Sequence, residues 1–360
     1  MTVTGPLVRD FTGDSGRFPI EVVVEPVFEL LLSIFSYDAM RDKSLKDFAV
    51  GEEWLEKVHT NASTDLQGAL DALRGAGGIW IELIGTALSL PAPRSVADLL
   101  DHLRTTDPIE QRLQHIVKAC MHCRDDVDQA TRRLAAEGDA AAINALATAS
   151  TCKLSDGLQR LLEMEPATTI DLIASAIELF DRDVFHGGDN IVGILERDAQ
   201  HKRAMAETMT PPRLVEIATN GITFEHQPEV DGIVLIPSVI IRPWVTIGSH
   251  DRQRIFCYPV AEEHLTADPD SPPTHLVEVY KALGDKRRLR LLRILAEGPI
   301  SLADLTERIG LAKSTVHHHL SILRQAGLVL ITIGADKDYS LRPNAVPEAA
   351  DLLAGFLVKS

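Results

Sequence analysis

Apolar residues recur at helical spacing over most of this chain: Val27 to Asp47, Asp65 to Leu90, Pro108 to Cys123, Val127 to Ala136, Ala140 to Leu162, Thr168 to Asp181 and Ile191 to Met209. Ser95 and the pair Thr210-Pro211 are start signals for two shorter helices, Val96 to Leu103 and Arg213 to Thr219. The pattern changes near both ends of this stretch. Pro19 to Val24, Ile233 to Ile241 and Arg254 to Tyr258 carry alternating and β-branched residues and predict strands that a small antiparallel sheet gathers. Pro237 and Pro243 would then sit on edge strands or at bulges, because proline cannot donate to a ladder.

Glu262 to Thr274, EEHLTADPDSPPT, interrupts the regular pattern with acidic residues and three prolines and reads as a linker. The expected domains are therefore 15–261, α-rich, and 275–360. In the second, helices are expected at His275 to Leu283, Lys286 to Ala296, Leu302 to Ile309 and Lys313 to Ala326, with a short segment at Pro299-Ile300. A hairpin (Leu328 to Ile333, Tyr339 to Arg342) and a last helix (Val346 to Val358) follow. Ser301 is a good N-cap for the helix that stops at Gly310, so a turn of about three residues joins it to the next: helix-turn-helix spacing. The fold class expected is mainly α, within α+β, with a C-terminal winged helix-turn-helix.

The helix inside Leu311 to Leu328, LAKSTVHHHLSILRQAGL, has a face made to enter a DNA groove. Val316, Leu320 and Leu323 anchor it, leaving Lys313, Ser314, Thr315, His317 and His318 to meet phosphates and base edges. Arg324, Lys337 in the wing, and Arg287 and Arg288 in the second helix complete the candidate DNA-binding set. Lys286, Arg290 and Arg293 crowd that second helix too, and Leu289, Leu291, Leu292 and Leu295 are expected on its buried side; its bases either lie along a phosphate strand or pair with the acidic domain. His319 falls between Val316 and Leu320, and its structural and DNA-facing readings stay open. Three consecutive histidines fan round a helix by about 100° each and cannot share one metal ion.

Net charge changes the picture only when it is divided. The whole chain carries −16, which disfavours phosphate contact in general. His275 to Ser360 holds 12 Lys or Arg against 9 Asp or Glu, +3, while Met1 to Thr274 holds 24 against 43, −19. One basic module follows a large acidic one.

With those residues in view, YKALGDKRRLRLLRIL followed by SLADLTERIGLAKSTVHHHLSILRQAGLV resembles the ArsR-type family of bacterial transcription repressors, over about the last 85 residues. The resemblance implies a cytoplasmic, dimeric repressor that binds double-stranded DNA, with terminal helices at the dimer interface and a ligand that changes operator affinity. An apolar stripe of Val346, Leu352, Leu353 and Phe356, with Ala349 and Leu357, supports such an interface; capping of the module's own core is the other reading. The chain departs from the family at four places. Ala312 offers no capping oxygen, GADKD makes a poorly charged wing, and SLADLTER lacks the cysteine pair with which many relatives hold metal. The last helix likewise has no histidine near Glu348 and Asp351.

Sensing is therefore expected in the large domain, through a small-molecule effector. Cys120 and Cys123, with His115, His122 or Cys152 near, are candidates for a metal or redox site, against a reading as small buried hydrophobes. FDRDVFHGGDN, 180–190, gathers Asp181, Asp183, His186 and Asp189 and reads as an interhelical turn rather than a metal-hydrolase site. Trp54, Trp80 and Trp244 either line a pocket or fill the core. No GxSxG, P-loop or dinucleotide fingerprint is present, so neither an enzyme nor a cofactor is expected. Four cysteines, no apolar run of about 18 residues and an N-terminus without a signal layout point to the cytoplasm and to no membrane partner. An enzyme with an attached DNA-binding module and a winged-helix interaction scaffold are the competing readings.

Overall fold

The structure is a computed structural model that describes residues 19–45, 47–120, 127–148, 155–225, 227–265, 272, 274–333, 337–343 and 345–357. Strand β1 (Ile20–Val22) leads into helices α1 (Pro26–Arg41), α2 (Gly51–Asn61), α3 (Thr64–Ala72), α4 (Gly78–Ser89), α5 (Val96–Thr105) and α6 (Pro108–Arg112). A π-turn, Leu113–Val117, joins α6 to α7 (Lys118–Cys120). Next come α8 (Gln129–Glu137), α9 (Ala140–Thr148), α10 (Asp156–Glu163) and α11 (Pro166–Phe180), and a second π-turn, Asp181–Phe185, before α12 (Asp189–Ala206). α13 (Pro211–Ala218), β2 (Ile222–Phe224), β3 (Gly232–Ser238), β4 (Thr246–His250) and β5 (Gln253–Pro259) follow. The remainder is α14 (Thr274–Leu283), α15 (Lys286–Leu295), β6 (Ile300–Ser301), α16 (Leu302–Ile309), α17 (Lys313–Gln325), β7 (Val329–Ile333), β8 (Lys337–Leu341) and α18 (Ala345–Leu357). The fold is α+β and mainly helical, and among the described residues no helix is long and apolar enough to cross a membrane.

The chain forms two compact units, and their limits differ from the expected 15–261 and 275–360. The larger takes Val22–His201 with Val234–Asp268; the smaller takes Met1–Glu21, Lys202–Ile233 and Pro269–Ser360. A stretch of about thirty residues expected in the acidic domain therefore belongs with the helix-turn-helix.

In the larger unit α1 is buried almost all round, as its run of apolar residues requires. It packs on α4 and α11 and carries Glu29 into the core, where Oε1 accepts from the backbone N–H groups of Val239 (3.0 Å) and Ile240 (2.9 Å). Burial pushes this carboxyl up to about 7, although those donors and Ser238 pull the other way. The expected helix over 65–90 is two helices, broken by the turn between α3 and α4. Unpredicted α2 has one fully buried residue, Val58, so its sequence shows little apolar stripe.

The sheet order is β1-β3-β5-β4. β4 and β5 are antiparallel, with Thr246 opposite Cys257. At the other edge Ile233 N donates to Pro19 O and Val23 N to Leu235 O (both 2.9 Å), an offset that fits parallel pairing of β1 with β3. The sheet is thus mixed rather than antiparallel. Pro237 lies in an interior strand, contrary to expectation, and it is tolerated because residue 237 is the next donor position on that edge, where the short β1 has ended. Trp80 fills the core at 1% exposure and Trp244 packs on Phe48, whereas Trp54 is half-buried.

Candidate nucleic-acid interface

In the smaller unit the helix-turn-helix is built by its caps. Ser301 Oγ accepts from Asp304 N (3.2 Å) to start α16, and Gly310, left-handed, ends it. Asp285 starts α15, accepting from Arg287 N (2.8 Å) and Arg288 N (3.0 Å), which holds its carboxyl below the usual range. α17 begins after Ala312 with no side-chain cap, so its first N–H groups are left open to an acceptor from outside, such as a phosphate oxygen.

Val316, Leu320 and Leu323 are buried against the rest of the unit. Lys313, Ser314 and His317 are exposed, and Thr315 and His318 are half-buried on the same open side. His319 is buried, and neither ring nitrogen has a hydrogen-bond partner; burial lowers its pKa, with Asp285 pulling the other way. Its place is structural.

Arg324 is not on the open face. It is 5% exposed, and its Nη1 donates to the Thr219 carbonyl (2.8 Å). Its place among the DNA-binding residues is therefore corrected: the guanidinium fastens α17 to the end of α13. Arg288 is engaged as well, donating through Nε to Ala282 O and through Nη2 to Lys281 O (both 2.7 Å), where it closes the C-terminus of α14. Arg287 remains exposed, together with Lys286, Arg290 and Arg293. Leu289 stands among them at 50% exposure, so the apolar side of α15 is Leu291, Leu292 and Leu295 without it. Lys337, at the start of β8, is exposed with its Nζ 5.8 Å from the centre of the Tyr339 ring. Wing residues 334–336 lie outside the described residues.

In Lys202–Ile233 the helix α13 was expected from sequence, but strand β2 and the segment's place in the smaller unit were not. β2 pairs in parallel with β7, Ile222 opposite Ile331, making the wing sheet four-stranded in the order β2-β7-β8-β6. Asn220 Nδ2 donates to Gln325 O at the end of α17, and Ile331 N donates to Gly221 O (2.9 Å). Gly221 has φ +104°, and a Cβ there would lie 2.8 Å from Val329 O, so the position requires glycine. The local signal was readable: Asn-Gly ending a helix, then β-branched Ile222-Thr223. Its partner strand, over a hundred residues away, was not.

On α18, Val346 is 54% and Leu357 69% exposed, Leu353 and Phe356 are half-buried, and the side chain of Leu352 lies outside the described residues. Ala349 is buried, and its carbonyl accepts from Tyr280 Oη (3.3 Å). One side of the helix thus caps the module, as the second reading expected, and another is open.

The sensor candidates fall mostly elsewhere. Cys120's side chain and residues 121–126, with Cys123 and His122, lie outside the described residues, as does Cys152. His115 is buried, bonded through Nε2 to Gln111 Oε1 (2.8 Å), and burial drives its pKa to about 3. Among the described residues no group of three or more His, Cys, Asp or Glu could hold a metal ion.

Residues 285–330 match the family model described as bacterial regulatory protein, arsR family. An uncharacterized HTH-type transcriptional regulator of Methanocaldococcus jannaschii is 40% identical over 53 residues, 14% of this chain and 60% of that protein. The transcriptional repressor SdpR of Bacillus subtilis is 29% identical over 82 residues, 22% of this chain and 91% of that protein. The HTH-type transcriptional regulator NmtR of Mycobacterium tuberculosis is 39% identical over 77 residues, 21% and 64% respectively. The chain therefore spans less than two thirds of the length of the first and third of these. Such matches cover only the C-terminal module, and the rest of the chain matches no family.

Proposed function

We propose, with an ArsR-family helix-turn-helix domain at residues 285–330 as the premise, that the chain is a cytoplasmic transcriptional regulator, a repressor that occludes a promoter. It binds an inverted-repeat operator as a homodimer, and its larger unit carries the effector site. The observation that supports this best is the open side of α17: Lys313, Ser314 and His317 exposed beside Thr315 and His318, at a helix start whose N–H groups are uncapped. Arg287 and Lys337 add exposed positive charge. Val346, Leu352, Leu353 and Phe356 on α18 form the dimer contact, which sets two recognition helices about 34 Å apart on a two-fold operator. Effector and DNA then change each other's affinity by the same factor.

Footprinting on the protein's own upstream region tests the reading. A protected inverted repeat, with affinity falling steeply as salt rises, is expected; absent or salt-independent binding overturns it. Replacing His317 and His318 by Ala should flatten discrimination between operator and mismatched sites by about 1–3 kcal/mol per lost base contact. Equal preference before and after would remove both from the interface.

A further inference from the structure

The larger unit contains a cavity of about 430 Å³, within the range of small-molecule sites. Its floor is buried: Ser33 on α1, Phe180 at the end of α11, and Ile240. Half-buried Trp54 and Phe185 supply aromatic walls, and exposed Lys57 and His186 stand at the mouth. We propose that this cavity is the binding site for a small organic monoanion with an aromatic body, an aromatic carboxylate by class.

Three observations carry the inference. The first is charge: among the described residues the ionisable side chains lining the cavity are Lys57 and His186, with no Asp or Glu, inside a stretch (Met1 to Thr274) whose net charge is −19. Lys57 has no ion-pair partner among the described residues, so its ammonium is free to meet a carboxylate. The second is the floor, where polarity is already used. Ser33 Oγ donates to Glu29 O (2.7 Å) and Ile240 N donates to Glu29 Oε1 (2.9 Å), so both floor groups are already paired and the Phe180 and Ile240 side chains are left to meet a ligand's body.

The third is the backbone that shapes the wall. After the π-turn Asp181–Phe185, His186, Gly187 and Gly188 are left-handed in succession, at φ 53°, 72° and 71°. Asp181 Oδ1 accepts from Gly187 N (3.1 Å) and holds this loop. A Cβ on Gly188 would lie 2.4 Å from the Phe185 ring, so the ring is laid directly over that glycine. π-turns and left-handed non-glycine residues are costly and gather at binding sites. Here they turn Phe185 to the cavity and His186 to its rim, in the segment whose sequence read only as an interhelical turn.

On the regulator reading, on which this role rests, the anion is the effector. The test separates the two. Titration calorimetry on the full chain, without DNA, compares phenylacetate with neutral phenylacetamide. Phenylacetate should bind about tenfold more tightly, the worth of one charge-assisted contact. Lys57→Gln should abolish that ratio while leaving phenylacetamide binding unchanged, and the exposed position makes a folding failure a poor explanation. Ile191→Trp, from the half-buried wall, should block both ligands. Equal affinity for acid and amide, no binding of either at millimolar concentration, or a ratio that survives Lys57→Gln overturns the proposal. Footprinting with saturating phenylacetate is read separately: binding that leaves operator affinity unchanged keeps the site and overturns its role as effector site.

Discussion

Each unit buries an ionisable side chain that ties a helix to a remote stretch of chain, and only one of the two ties responds to pH. In the smaller unit Arg324 on α17 reaches the Thr219 carbonyl, 105 residues away. In the larger, Glu29 on α1 takes the N–H groups of Val239 and Ile240, 210 and 211 residues away. Both charges are met by backbone dipoles. Burial lowers Arg324 only to about 10, so it keeps its charge at any physiological pH. Burial raises Glu29 to about 7, in the middle of that range. The module carrying α17 is therefore fastened by a group that does not titrate, and the unit proposed to sense is fastened by one that does.

Arg324→Ala is the most severe way to break this comparison. It strands the Thr219 carbonyl and leaves a void, and should cost the smaller unit about 3 kcal/mol, read as lost hydrogen-exchange protection along α17 and at Ile331. Protection retained to within about 0.5 kcal/mol would show that the tie is dispensable.

Glu29→Gln sharpens the pH side. Because the folded pKa lies above the ordinary 4.5, the folded state binds the proton more tightly; the contribution is complete below 4.5 and is lost as pH rises through about 7, about 3 kcal/mol in all. Asp38, raised to about 6 by burial and by Asp42, acts with the same sign. His115 opposes both: its stabilisation is complete above 6.5 and is lost as pH falls toward about 3. The useful quantity is thus the stability difference between E29Q and wild type in urea. It should move in favour of the variant between about pH 5 and pH 8, and a difference independent of pH would remove Glu29 from the account.

Gly221→Ala forces a Cβ against Val329 O and should weaken the β2–β7 pairing by about 2 kcal/mol, seen in exchange at Ile331 while α1 and α4 keep their protection. Equal loss in both units would deny the division at Lys202. Smallest in stability is Arg287→Ala, within about 0.5 kcal/mol for an exposed arginine. Its effect should appear instead in the salt dependence of DNA binding, whose slope should fall by about one phosphate contact.

What was legible in the sequence depended on how local its cause was. α16 starts and stops where Ser301 and Gly310 say it must, and Val316, Leu320 and Leu323 are buried as their spacing requires. Leu289 was misplaced because leucine's apolarity was read as burial on a helix already crowded with bases. Arg324 and Arg288 were misread for a related reason: an arginine near a DNA-facing helix looks the same in sequence whether it meets a phosphate or a carbonyl. The cavity was illegible because α1, α2, α11 and the loop at His186 each contribute a fragment with no spacing rule joining them.

The parallel pairing of Ile222 with Ile331 also sets an order of events in synthesis. A ribosome adding about 5–20 residues per second releases β2 several seconds before its partner strand exists, and everything between has to emerge first. High contact order of this kind slows the closing step. Through that interval the nascent chain can assemble the unit proposed to sense, while the unit proposed to bind DNA waits for its final strand.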